Sequence, residues 1–349
     1  MKANKNKTLT FASCIALLMA FFLGSNAQAE TEDAAAFYKG KNIRWIVPYD
    51  PGGGYDEYAR LIAPYFAKYT GARIRLDNKP GAGGMRGVNE LFASPDDGLT
   101  VGIINGSAMV TNQLVGIQGA KYKIEEFKFL GRIVADRRVL AASIKDGFAS
   151  FEDMIDAKDE FKIGATGLGG STYVDAVVIG EVFKLRQNLI HGFDSSSVIR
   201  QSMLRGDVAA MWGSAGSAAD SVDDGLNKVI LQSGKQRSPD LADVPTVMEM
   251  MDRVNASAQD RDLVRAWQGL NDVGRPVASP PGTPDYKLAF LREAFKNAMN
   301  DPEFLKICAD TGRDISFATG EEMNTIASDA AVMPDAVKEF FIGAIKGEL

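Results

Sequence analysis

Val47-Pro48-Tyr49-Asp50-Pro51-Gly52-Gly53-Gly54-Tyr55-Asp56 is the stretch on which the fold turns. The residues leading into it, Ile43-Arg44-Trp45-Ile46-Val47-Pro48, read as a strand. Residues 51–55 read as a turn, rich in glycine and proline. Residues 56–69 then place Tyr58, Ile62, Tyr65, Phe66 and Tyr69 on one helical face. Pro64 interrupts that face and is expected to kink or shorten the helix. The same order of strand, glycine turn and helix recurs along the chain. Residues 73–76 lead into Gly81–Gly84 and a helix over 88–93. Residues 99–104 lead into Asn105-Gly106-Ser107 and another helix. Residues 162–165 lead through 166–171 into a helix over 172–183. Residues 208–212 lead into Gly213-Ser214-Ala215-Gly216-Ser217. Such alternation predicts an α/β fold, with parallel sheets joined by helical crossovers.

The C-terminal part reads as helical. Thr283-Pro284-Asp285 offers a capping side chain and a proline at the first helical position. Leu288, Leu291, Phe295 and Ala298 form the apolar face that follows. Asp301-Pro302 begins a second helix in the same way, and Thr319 with Glu322 has capping-box spacing before the last helical segments.

The first residues predict export. Lys2, Lys5 and Lys7 precede an apolar run over 11–23, and Ala27-x-Ala29 has the small-x-small form of a cleavage site. The run is short for a membrane span. Cleavage after Ala29 leaves residues 30–349, enough for two domains of ordinary size. Loss of the three lysines takes the net charge from −6 to −9. That balance argues against a nucleic-acid partner. Cys14 lies inside the apolar run, where lipid attachment would leave too short a signal. Cys308 then remains alone, which excludes an intramolecular disulfide, and its spacing with Phe304 and Leu305 places it in a helix as a small buried residue. His191 is the only histidine, so the commonest serine triads and zinc sites have too few parts.

The glycine turns are where chemistry is expected. In an open parallel sheet, ligands bind beyond the carboxyl ends of the strands. A helix start there presents unpaired N–H groups and a partial positive charge, which hold a carboxylate or phosphate without a cationic side chain. Plain turn geometry accounts for any one of the turns at 52–56, 81–84, 106–107 and 169–172. Their recurrence at strand-to-helix junctions favours a shared anion site. A nucleotide does not fit. After Gly52-x-Gly54 the third glycine of G-x-G-x-x-G falls at Glu57, and after Gly81-x-Gly83 it falls at Arg86. No cofactor is expected.

Three stretches, in order, resemble the periplasmic solute-binding component of tripartite tricarboxylate transporters, the Bug family. They are residues 47–56 with Ala59-Arg60; Asp77-Asn78-Lys79-Pro80-Gly81-Ala82-Gly83-Gly84 continuing to Pro95-Asp96-Asp97-Gly98-Leu99-Thr100; and Pro245-Thr246 with Glu249, followed by Gly282-Thr283-Pro284. The resemblance implies a two-lobed Venus-flytrap fold, type II-like, each lobe a mostly parallel sheet flanked by helices. It places residues 30–135 and 267–349 in one lobe and 136–266 in the other. It implies a small carboxylate held in the cleft largely by backbone groups and water, then delivered to a two-component membrane permease.

The resemblance puts Gly53, Gly54, Tyr55, Asp56, Ala82, Gly83 and Gly84 on one wall, and Ser171 and Thr172 at the start of the helix on the other. Ser107, at the third turn, joins them. Tyr55 stands where many members carry a small hydroxyl residue; it either narrows the pocket, stacks on an aromatic acid or points into the hinge. The family's glycine-serine turn with a nearby histidine is not reproduced after Ser171. Asp175 lies there, either to bind a ligand hydroxyl or amine or to favour the helix start. Arg86 replaces a commonly apolar position and reads as a surface residue or a carboxylate partner. A sensory receptor acting on a kinase is an alternative to transport, which neighbouring genes would separate. A secreted enzyme on the same fold would have only Ser171 with Asp175 as a nucleophile and base.

Overall fold

Alternation in the first strand decides how the layers form. In a computed structural model of the chain, which describes residues 34–216, 225 and 227–346, strand β1 (Asn42–Val47) is buried on both faces. Ile43, Trp45 and Val47 pack with Ile62 and Phe66 of the helix Gly54–Thr70, and the Trp45 and Phe66 rings meet edge to face at 5.6 Å. Ile46 packs the other way, with Val88 and Leu91 of the helix Met85–Phe92. Successive side chains of a strand point to opposite faces, so one strand seats a helix on each side. The 54–70 helix continues through Pro64 and is not shortened there.

The remaining strands are β2 (Arg73–Asn78), β3 (Thr100–Ile103), β4 (Lys128–Arg132), β5 (Arg138–Ser143), β6 (Phe161–Thr166), β7 (Gln187–Phe193), β8 (Ala210–Ser214), β9 (Asn227–Gln232), β10 (Pro276–Ser279) and β11 (Ala318–Thr319). They form two sheets, ordered β11-β4-β10-β3-β1-β2 and β7-β6-β8-β5-β9. The expected parallel pairing holds for β2-β1-β3 and for β7-β6-β8. Elsewhere the pairing is antiparallel, so both sheets are mixed rather than mostly parallel. The cause lies in the connectivity. β5 and β10 are the strands entered as the chain passes from one sheet to the other, at 133–137 and 274–275. A strand that begins where the two sheets meet must run away from that meeting place. Its antiparallel neighbours, β3 and β4 beside β10 and β8 and β9 beside β5, run toward it.

The two passages lie side by side. Ile133 N–H donates to the Arg275 carbonyl (3.0 Å), and Arg275 N–H donates to the Val134 carbonyl (2.9 Å). Gly274 has φ +61, and a Cβ there would stand 2.0 Å from the Val134 oxygen, so no larger residue fits between the strands. The helix Ala258–Val273 precedes this passage and packs on the helices Gly106–Leu114, Gly320–Ala330 and Ser171–Phe183. The boundary expected at 266/267 falls inside that unbroken helix. The chain re-enters the first sheet only after it.

Asp301 caps the helix Pro302–Asp310, and Thr319 with Glu322 forms the expected capping box. Thr283 does not cap. The helix starts at Asp285, one residue later than expected, and the Thr283 hydroxyl donates to the Pro280 carbonyl at 2.9 Å. Cys308 is buried, and burial pushes its thiol up to about 11, so it packs as an apolar group. The export segment, with Cys14 and the cleavage site, lies outside the described residues.

Candidate functional site

Three helices begin where the carboxyl ends of β1, β6 and β7 converge between the sheets: Gly54–Thr70, Ser171–Phe183 and Ser196–Arg205. Around their first turns lies a cavity of about 30 Å³, lined by Tyr49, Gly53, Gly54, Tyr55, Arg138, Thr166, Ser171, Thr172, Ser195, Ser196, Gly213, Ser214 and Arg275. That is room for water but not for a four-carbon acid. The first two helices start on Gly53 and Gly170, and no side chain caps either start. Their first N–H groups are left for whatever fills the cavity. Ser195 caps the third helix.

The lobes are in contact around this space. The Tyr49 hydroxyl donates to the Gly83 carbonyl (2.7 Å) and accepts from the Asn105 amide (2.6 Å), which also donates to the Ser171 hydroxyl (3.1 Å). Asp50 N–H donates to the Asp194 carbonyl across the gap at 3.4 Å. A Cβ on Gly83 would meet Gly170 N at 2.8 Å and Gly167 O at 2.9 Å. Backbone therefore touches backbone where the lobes meet.

Two buried arginines wall the hinge side. Arg275, between the passages, donates to Asp136 (2.8 Å) and to the Gly54 carbonyl (2.7 Å), and it lies over the Tyr55 and Tyr58 rings at 4.5 and 4.9 Å. Arg138, at the start of β5, holds Asp175 through Nε (2.7 Å) and Nη2 (2.6 Å). Asp175 accepts also from the Trp267 indole at 2.8 Å. Burial works against the charge on Arg138, but Asp175 and Asp136 outweigh it and raise its pKa. Burial pushes the Tyr55 hydroxyl well up, so it stays neutral.

The expected site residues divide. Gly53, Gly54, Tyr55, Ser171 and Thr172 line the cavity. The Tyr55 ring does so while pointing at the hinge, its hydroxyl 3.4 Å from Asp136. Thr172 turns its hydroxyl to Thr166, accepting from the Thr166 N–H at 2.8 Å. Asp56 is absent from the wall. Its carboxylate ties the turn together by accepting from Gly52 N–H (2.9 Å), Asn78 (3.0 Å) and Arg60 (2.7 Å). Ser107 is buried behind the wall and donates to Asn105 at 3.2 Å. Ala82, Gly83 and Gly84 line a second, more open pocket of about 470 Å³, shared with His191, Phe193 and Asp194. Asp175 is the counter-ion of Arg138, and no hydrogen bond joins it to Ser171, which leaves no base beside that hydroxyl. Arg86 is exposed. No group of three or more metal-ligating side chains occurs among the described residues.

Sequence reading missed Arg138, Arg275 and Asp136. Their signal was present: Asp136-Arg137-Arg138 interrupts an apolar run from Ile133 to Ala142, and Arg275 precedes apolar Pro276-Val277-Ala278. Charges inside strand-like runs require buried partners.

Two lobes joined by paired passages, with helix starts facing one cavity, define a solute-binding protein. The family comparison agrees: residues 58–337 match the tripartite tricarboxylate transporter family receptor, TctC, and the chain belongs to that family. The family and fold are those of solute-binding receptors rather than enzymes. Relatives include Protein BugT of Bordetella pertussis, 26% identical over 85% of this chain and 88% of that one. A protein encoded between tcbD and tcbE in Pseudomonas sp. strain P51 is 23% identical over 82% of each chain. Among solved structures, the periplasmic binding protein BugD aligns with a TM-score of 0.72 at 19% identity, over 88% of this chain and 98% of BugD. MatC of Rhodopseudomonas palustris, with bound malate, aligns at 0.69 and 18% identity, over 86% and 99%. Another R. palustris protein, with adipate, aligns at 0.72 and 18%, over 86% and 97%.

Proposed function

We propose that this protein is a periplasmic receptor that closes on a small carboxylate and delivers it to a two-component membrane permease. One observation carries the reading. Two helices from opposite lobes begin on uncapped glycines at the same cavity, and no carboxylate side chain lines it. Their N–H groups and partial positive charges suit an anion that both lobes grip at once. The malate and adipate held by two structural relatives are of this chemistry. The cavity is small because the lobes are together, so entry requires them to part about the passages at 133–137 and 274–275. Residues 1–29 direct export and are removed.

A thermal-shift screen against mono-, di- and tricarboxylates tests the reading, since a ligand that binds the folded state raises its melting temperature. At least one acid should stabilise the protein and be recovered unchanged. Stabilisation by none, or steady conversion of the bound acid, overturns the proposal. Mass spectrometry of the periplasmic protein should find Glu30 at the N-terminus.

A further inference from the structure

Both guanidinium groups at the hinge side of the cavity are incompletely used. Arg138 is 2% exposed; its Nη2 lies 2.6 Å from Asp175 Oδ2 without a well-aligned hydrogen bond, and among the described residues its Nη1 makes no hydrogen bond, with Asp136 Oδ2 4.0 Å away. Arg275 is 1% exposed and engages Asp136 and Gly54 through Nε and Nη1, and among the described residues its Nη2 makes no hydrogen bond. Both side chains line the cavity, while Asp136 and Asp175 stand behind them. A buried guanidinium with an unmade bond is costly, and a planar donor fork matches a carboxylate. Asp175 is held in turn by Trp267, so Arg138 is set in place from outside the cavity. Arg275 is set in place by Asp136 and by two tyrosine rings.

We infer that Arg138, with Arg275 beside it, is the specificity-determining contact for a second anionic group of the ligand. This rests on the carboxylate-receptor reading, in which the helix starts take the first group. The site thus has two anion-binding ends: backbone N–H groups between the lobes, and guanidinium nitrogens toward the hinge. A monoacid fills only the first end and leaves the arginine nitrogens unanswered. A diacid fills both.

The test compares diacids with their monomethyl esters, using succinate, malate and adipate in calorimetric titrations of the full exported protein. The parent should prefer at least one diacid over its ester. In Arg138→Lys a positive charge still faces Asp175, but one ammonium cannot reproduce the fork. Diacid affinity should fall by about tenfold or more, while ester affinity changes by less than about twofold. If the lysine variant does not fold, the paired Arg138→Met/Asp175→Asn exchange removes both charges together, with the same expectation. Equal losses for diacid and ester would mean that Arg138 serves the fold alone, and this inference would fall. It falls also if the parent binds an acid but does not distinguish diacid from ester. If the parent binds no carboxylate at all, the receptor reading itself fails.

Discussion

Five helices away from the cleft and two at the cleft solve the same problem in opposite ways. Those beginning at Phe151, Val247, Ala258, Pro302 and Gly320 each start on a side chain, Ser150, Thr246, Ser257, Asp301 or Thr319, whose oxygen accepts from the first turn. Four of the five are reciprocal capping boxes. The helices at Gly54 and Ser171 start on glycine and have no such partner. A cap contributes about 1 kcal/mol, so leaving it out costs stability. The difference separates two uses of one chemical group. In these five outer helices a cap satisfies N–H groups of the first turn, whereas the helix Asp285–Met299 starts on Pro284 without a side-chain cap. At the cleft the first N–H groups are left open, and glycine lets another backbone or a ligand come close. Ser195 and Asn105 fall between these cases. Each caps a helix, but Ser195 also lines the cavity and Asn105 reaches across to Ser171.

The largest effect is expected at Gly83. Its φ is +64, and a Cβ would press on the backbone of Gly167 and Gly170. Gly83→Val should weaken ligand binding by at least about tenfold, roughly 1.4 kcal/mol. Small-angle scattering should show the variant remaining open with ligand present. Thermal melting without ligand keeps a closure defect apart from misfolding. A folded variant that binds and closes like the parent would mean that this glycine contact has no part in the liganded state.

At the outer helices the expected effects exchange places. Thr246 caps the helix Val247–Arg253 and accepts from Glu249 N–H at 3.1 Å, while Glu249 accepts from Thr246 N–H at 2.8 Å. Thr246→Ala should lower unfolding free energy by about 1 kcal/mol. Its ligand affinity should match the parent's in titration. A binding defect in this variant would erase the distinction between the two sets of helices. The smallest effect is expected from supplying the missing cap. Gly53 has φ −91 and ψ 161, an extended conformation that any residue adopts. Gly53→Ser should stabilise the unliganded protein by a few tenths of a kcal/mol, while ligand binding weakens. A Cβ there stands 3.3 Å from the Ser195 Cβ, so closure must also shift slightly. Tighter binding in this variant would show that the helix start is not reserved for the ligand.

Part of the cavity wall was legible in the sequence and part was not, for reasons found in particular residues. Gly53, Gly54, Ser171 and Thr172 were readable because a helix start after a strand is a local event. It is written in a few consecutive residues, and its position at the sheet edge follows from the strand before it. Asp56 and Asp175 looked similar in sequence, each near a helix start. What separates them from the cavity wall is distant chain: Asn78 holds one, Arg138 and Trp267 the other. The second glycine loop was read as a ligand wall, but Gly83 meets the backbone of the opposite lobe, and no local pattern states which surface will approach a turn.

By itself the sequence determined the repeated strand–turn–helix units, the burial of each strand's apolar face, the capped starts at Asp301 and Thr319, and the family to which the chain belongs. These depend on spacing and on short-range hydrogen bonds, whose range is a few residues. Tertiary structure alone decided the antiparallel halves of the sheets, the pairing of the two passages and the partners of the buried arginines. Asp136 and Arg275 are 139 positions apart along the chain, yet they bond at 2.8 Å. Such a pair forms only when the chain has crossed between lobes twice. Its charges are tolerated in the interior because each then finds its partner there.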